Sequence, residues 1–296
     1  MDRKVFRDIK GILRSLGAYR RRPGQVHTDG AIVVAYYFAL LNRRSTWWAC
    51  DRANWLPGLW RGQLPSQSCM SRRLRTPAIR ALLDRLEHAV RPALPELVVA
   101  AAIDGKPLEI AMHSSDPHAG KGRGAGHTAN GYKIHALLSV CGTLICWRLS
   151  PLSISERTMA CRMMRSLPTS ICYIVGDSHY DTNPLAAAAR QAGAQLAAPR
   201  KRSDVGKGLG HRPHDQARLR SIQMLEPERS PFAADLMRSR TAVERLFAQW
   251  SNPSGGLIGL PPWVRTYPRV KAWVQAQLVI AILQGTIPTP RRQCVA

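Results

Sequence analysis

Acidic side chains are scarce in this chain. Its 296 residues hold 19 Asp and Glu against 43 Lys and Arg, a formal net charge of +24 at pH 7. Long apolar runs are missing as well. The longest, Ala31 to Leu41, has 11 residues, and a membrane-spanning helix needs about 20, so no membrane partner is expected. The first residues, MDRKVFRDIKGILRSLG, are charged throughout and carry no apolar stretch of signal-peptide length. Seven cysteines, an odd number without a CxxC pair, do not form a disulfide framework and suit a reducing compartment, with the cytosol as the expected location. The run GKGRGAG lacks the spacing of a P-loop. His113, His118 and His127 fit no standard zinc spacing. There is no internal repeat, and no Ser or Cys stands beside an evident positioned base.

What is present is a globular composition with a polyanion's counter-charge. Apolar residues make up 45% of the chain, enough for one large or two ordinary cores. The excess positive charge says little about fold and much about partners, and nucleic acid is the natural one. It is not confined to a tail. Residues 1–99 carry 18 basic and 7 acidic groups (18 − 7 = +11), and residues 100–296 carry 25 and 12 (25 − 12 = +13).

The texture divides the chain near residue 96. Residues 1–95 read as a small all-α domain. Asp29 caps a helix through AIVVAYYFALL, Thr46-Trp47-Trp48 opens a short second helix, and Leu64-Pro65-Ser66-Gln67-Ser68 forms a turn and N-cap before CMSRRLR. Helix, short helix and Ser-capped basic helix give a helix-turn-helix-like layout, with Arg72, Arg73 and Arg75 as candidate DNA contacts. A solvated basic face is the bland alternative.

Residues 96–296 read as a mixed α/β domain. Leu97 to Ile103 is an apolar strand ending at Asp104-Gly105, and 108–111 is a segment able to pair beside it. HSSDPHAGKGRGAGHTANG is a Gly-rich basic loop. Tyr132–Val140 and Thr143–Leu149 form a hairpin around Cys141-Gly142. Ser153-Ile-Ser-Glu156 fits a capping box opening the next helix. The strand ICYIV then runs into Gly176-Asp177. Asn183-Pro184 opens a helix closed by Gly193, and Gln195–Ala198 is a short strand. A second basic loop covers about 200–215. Phe232–Trp250 forms a helix with Leu236, Val243, Phe247 and Trp250 at helical spacing, and a last amphipathic helix spans about 268–284.

Three of the few acids fall at telling places. Asp104 and Asp177 end strands, and Glu244 lies four residues after Arg240 on a helix, hence on its face. Open α/β sheets place chemistry at strand tips. Three carboxylates gathered there repel one another unless a cation neutralises them. Hard oxygen ligands suit Mg²⁺ or Mn²⁺, and two such ions about 4 Å apart clamp the oxygens of a phosphodiester displacement.

The segments AIDGKPL, GYKIHALLSVCGTLICWRLSPLSISE, YIVGDSHYDTNPL and RSRTAVERLFAQW resemble, in that order, the DDE transposases of bacterial insertion sequences. The resemblance covers about residues 96–285. It implies an RNase H-like catalytic domain, an end-binding region before it, and Asp104, Asp177 and Glu244 as the catalytic acids and ligands of two Mg²⁺ or Mn²⁺ ions. It further implies binding of double-stranded DNA (terminal inverted repeats and target), as a homodimer associated with the bacterial nucleoid. Only 67 residues separate Asp177 from Glu244, which fits the compact type without a large β-insertion domain. Two positions depart from the family: Met237 stands where many relatives have Tyr, and Ser251 where many have Lys. Lys106, Lys121, Arg123, Lys133 and Arg240 are further candidate DNA contacts. Arg240 reads equally as the salt-bridge partner of Glu244, and Lys106 and Lys133 as solvated strand-edge lysines.

Overall fold

The structure is a computed structural model that describes residues 1–94, 98–200, 214–226, 230–238, 240–251 and 259–285. The chain separates into two compact units, one chiefly Met1–Arg91 with Pro261–Thr286, the other chiefly Pro92–Ser254.

The first unit is helical: α1 (Arg3–Ser15), α2 (Asp29–Leu41), two short 3₁₀ turns at Trp48–Cys50 and Arg52–Asn54, α3 (Gln67–Arg73), α4 (Pro77–Val90) and, from the far end of the chain, α10 (Tyr267–Leu283). Thr28, not Asp29, caps α2, accepting from the Ala31 amide at 3.1 Å. Asp29 instead receives the guanidinium of Arg73. Ser66 caps α3 as its sequence suggests. α2 is apolar on every face beyond its first residue and buried without a break from Ile32 to Leu40. Phe38 stacks on Trp55 with ring centroids 3.6 Å apart and meets Phe6 edge-on at 5.8 Å. The last helix is not amphipathic: its side chains from Trp273 to Ile282 are all buried. A helix buried all round must be covered on all sides, and α10 finds that cover against α2 and α4. The first unit therefore takes in α10, which a division at residue 96 assigns elsewhere. Its buried Gln275 is satisfied by Asp84 Oδ1 at 2.8 Å and Glu87 Oε2 at 2.7 Å.

The second unit is built on a six-stranded mixed sheet. Its strands are β1 (Ala100–Ile110), β2 (Gly120–Arg123), β3 (Thr128–Ser139), β4 (Leu144–Pro151), β5 (Tyr173–Val175) and β6 (Gln195–Ala197). β1 pairs antiparallel with β3 and parallel with β5, β5 pairs parallel with β6, and β3 carries β4 and β2 on its other edge. Apart from the short β2, three antiparallel strands (β1, β3 and β4) followed by two parallel ones reached through helices are the RNase H-like arrangement. The helices are α5 (Glu156–Met164), α6 (Asn183–Gln191), α7 (Gln216–Leu225), α8 (Pro231–Arg238) and α9 (Arg240–Ser251). Ala160, Met163, Leu185, Ala189 and Ala217 from α5 to α7 bury one face of the sheet with Ile103, Leu137 and Ile174.

Several elements differ from their sequence readings. β1 is one strand of 11 residues through Asp104 and Gly105, where two separate segments were expected. Its pairing with β3 carries it on past the point where β5 stops. The Gly-rich loop contains β2, with Lys121 and Arg123 exposed. The Phe232–Trp250 stretch forms two helices, α8 and α9. Leu236 and Phe247 are buried; the side chains of Val243 and Trp250, and residues 201–213 of the second basic loop, lie outside the described residues. The cap of α6 is Thr182, with Asn183 its first helical residue. α7 was not anticipated.

Candidate active site beside the parallel strands

The parallel ladder of β1 and β5 ends at Ala102 opposite Val175. Asp104 lies two residues beyond that rung within β1, and Asp177 two residues beyond it, just after β5 has ended. Both acids thus emerge from the same end of the parallel ladder, near enough for the Asp177 charge to act on Asp104. Gly176 is required at that exit. A Cβ there would lie 2.9–3.1 Å from the ring and Cβ of Tyr180, because the chain turns back at once, with the Tyr180 amide on the Asp177 carbonyl at 3.0 Å.

Asp104 is partly buried, and its carboxylate accepts the Gly105 amide at 2.7 Å. Burial, and then the negative charges of Glu156, Asp177 and Glu244, push its carboxyl up to about 6, against the Gly105 hydrogen bond, which lowers it. Those influences record which acids surround it. Asp177 is 38% exposed; its carboxylate caps the His179 amide at 2.8 Å and faces His179 Nδ1 at 3.4 Å. The next acid, Asp181, is not a simple turn former. Arg218 of α7 grips it with Nε on Oδ1 at 2.7 Å and Nη2 on Oδ2 at 2.8 Å, almost wholly buried. This bidentate pair ties the turn carrying Asp177 to α7.

Glu244 sits on α9, which packs against β1 and β3. Its carboxylate is turned to Arg240, whose Nε and Nη2 reach Oε1 at 3.1 and 2.8 Å. The Glu244 side chain is half exposed. Carboxylate oxygens are the donor set that Mg²⁺ or Mn²⁺ prefers. Among the described residues, no three His, Cys, Asp or Glu side chains are gathered closely enough to hold a metal ion. Asp104, Asp177 and Glu244 each offer such oxygens, with that of Glu244 bonded to Arg240.

A fourth acid was overlooked. Glu156 begins α5, and no capping box forms, since the cap position is Ser155. The Glu156 carboxylate instead takes the Nζ of Lys133, which is buried on β3. Both crowd Gly105: an added Cβ there would meet the Lys133 chain at 3.1 Å and the Glu156 carboxyl at 3.3 Å. Tyr180, also buried, has its ionisation pushed well up by burial and then by Glu156, Asp104 and Asp177. The available sequence signal was an acid in the first turn after β4; its cap-like spacing masked it.

The candidate DNA contacts scatter. Lys121, Arg123 and Arg72 are exposed. Lys106 is half-buried, its ammonium lowered by desolvation and raised by Asp104. Lys133 is no solvated edge lysine, being held by Glu156. Arg73 is not on the surface either: it bridges Asp29 and the His27 carbonyl, the latter at 3.1 Å. Arg75 lies over its own helix, with Nε on the Ser71 carbonyl at 2.8 Å.

A family described as transposase DDE domain matches residues 99–257. The chain belongs to the DDE transposase domain family. The match begins where β1 begins and runs past α9, so it spans all three acids. A solved structure, the cryo-EM structure of a piggyBac transposase synaptic complex with hairpin DNA, is similar at 13% identity and a TM-score of 0.46, covering 97% of this chain and 72% of that one. No curated protein matches in sequence. Among the described residues, no helix of this transposase is long and apolar enough to cross a membrane.

Proposed function

We propose that this transposase binds the ends of a mobile DNA element, cleaves there to expose a 3′-OH, and joins that end to target DNA. Asp104, Asp177 and Glu244 are the acids assigned to the reaction, and the substrate is double-stranded DNA. The observation that carries the reading is the placement of Asp104 and Asp177 at the same end of the parallel ladder, with the helix of Glu244 packed against β1. Two Mg²⁺ or Mn²⁺ ions held by these carboxylates would supply an acidified water and charge stabilisation for the displaced oxygen. The chain's own part is positioning. Asp104 presents a carboxylate from a rigid strand. Asp177 is held by the turn that Asp181 and Arg218 anchor. Glu244 completes the set when Arg240 passes to a DNA phosphate, which a guanidinium grips well. Lys106, Lys121, Arg123 and Arg72 are proposed phosphate contacts, and the active form is proposed to be a homodimer on DNA.

A second reading, a transposase-derived DNA-binding protein that no longer cuts, draws on the closed Arg240–Glu244 pair. One experiment separates them. Sequencing the DNA that flanks the gene identifies inverted repeats, and purified protein is then incubated with those ends and Mg²⁺ or Mn²⁺. Nicked or joined products that vanish in Asp177→Asn are expected. End binding without any product in the parent protein favours the second reading.

A further inference from the structure

The helical unit holds a cavity that the acidic site does not use. It has a volume of about 310 Å³ and lies among α2, the segment after it, α3 and the start of α10. Its lining includes Arg44, Arg75 and Arg269 and no carboxylate. Arg75 and Arg269 converge: the Nη2 of each reaches Ser71 Oγ, at 3.5 and 3.3 Å. Two guanidiniums meeting on one neutral hydroxyl repel each other, and an anion placed between them relieves that repulsion. Trp47 and Trp263 also line the cavity, 64% and 44% exposed. Thr266, a β-branched residue at φ 71°, turns the chain between Trp263 and Arg269, a costly conformation that persists where it sets local geometry.

Flat indole faces beside unneutralised guanidiniums are the chemistry that holds an unstacked base and its phosphate. We propose that this cavity receives a single unstacked nucleotide of bound DNA, with the phosphate on Arg75 and Arg269 and the base against Trp47 and Trp263. The volume, at the lower end of small-ligand sites, admits one nucleotide and not a duplex. The proposal rests on the reading that the chain binds DNA.

The test compares a fully paired duplex with the same duplex carrying one extrahelical nucleotide, by fluorescence anisotropy at fixed salt. The extrahelical nucleotide is 5-iododeoxyuridine, so that ultraviolet light crosslinks it to adjacent aromatic residues. The parent protein is expected to bind the bulged duplex on the order of tenfold more tightly than the paired one, with the crosslink on Trp47 or Trp263. The double substitution Trp47→Leu with Trp263→Leu, which keeps apolar surface and removes the indoles, is expected to abolish that preference while paired-duplex affinity stays unchanged. Arg75→Gln with Arg269→Gln is expected to reduce the same preference. Equal affinity of the parent for both duplexes, or a crosslink elsewhere, overturns the proposal and leaves general DNA binding intact. Binding to neither duplex overturns both.

Discussion

Asp104 and Asp177 lie at the same end of the parallel ladder, each two residues beyond its last rung, Ala102 opposite Val175. Asp104 carries the cost of that neighbourhood, its carboxyl raised from 3.8 to about 6 by burial and the surrounding acids. The native state therefore holds the Asp104 proton more tightly than the unfolded chain does. Protonation favours folding below about pH 4, and that advantage is lost as pH rises through 6.

Asp104→Asn removes the charge and nearly keeps the shape. Without metal, at pH 8, it is expected to be more stable than the parent by about 3 kcal/mol, the equivalent of the rise from 3.8 to about 6. The difference should shrink towards pH 4. Urea unfolding between pH 4 and 8 measures it, and identical midpoints at pH 8 would remove the electrostatic account of the site.

Divalent metal should reverse that cost. Mg²⁺ or Mn²⁺ binding the native state alone adds about 2.7 kcal/mol at a hundredfold excess over the dissociation constant. Glu244→Gln is expected to lose most of this stabilisation, together with strand cleavage. Thermal melts with and without Mn²⁺ report the first, independent of activity. If the variant keeps the full metal shift, Glu244 serves only Arg240, and Glu156, already acting on Asp104, becomes the acid to replace.

The Asp181–Arg218 pair should behave as a buried ion pair. Asp181→Asn leaves the Arg218 guanidinium without its charge partner, and the expected loss is about 3–5 kcal/mol. Because the pair anchors the turn that follows Asp177, cleavage should fall further than the unfolded fraction explains. Circular dichroism melts beside activity at a temperature where the variant is folded test both parts. A loss below 1 kcal/mol contradicts the buried pairing.

Arg72 and Arg73 are adjacent and should differ. Arg72→Ala is expected to weaken end binding and lower the salt dependence by about one counterion, with stability unchanged. Arg73→Ala is expected to lower the stability of the helical unit, because Asp29 loses its partly buried partner. Salt titrations of binding and melting curves for both variants decide. Equal effects on salt slope would place Arg73 on DNA as well.

Local chemistry made much of this protein readable in one dimension. Asp177 after an apolar run and Gly176, the hairpin of β3 and β4, and Ser66 capping the basic α3 are short-range facts, since strand period, turn residues and caps act within a few positions. The acids Asp104, Asp177 and Glu244 could be singled out because acids are few and each stood on or just after a legible element.

What folding alone decided was long-range. β1 runs through Asp104 because β3 pairs with it to Ile110, a partner 20 or more residues away that no local pattern encodes. β2 forms in a Gly-rich stretch because its glycines accept backbone at contact: a Cβ on Gly122 would lie 2.2 Å from the Leu152 carbonyl oxygen. α10 joins the N-terminal helices because its side chains from Trp273 to Ile282, mostly apolar, needed cover from α2 and α4. Glu156 and Lys133 look like a cap and an edge lysine until the sheet brings them together. The sequence alone determined which residues carry charge, turn the chain and begin helices. Which of those charges meet, and which lie buried against each other, was set by packing between segments far apart in the chain, where register and burial are properties of the partner as much as of the residue.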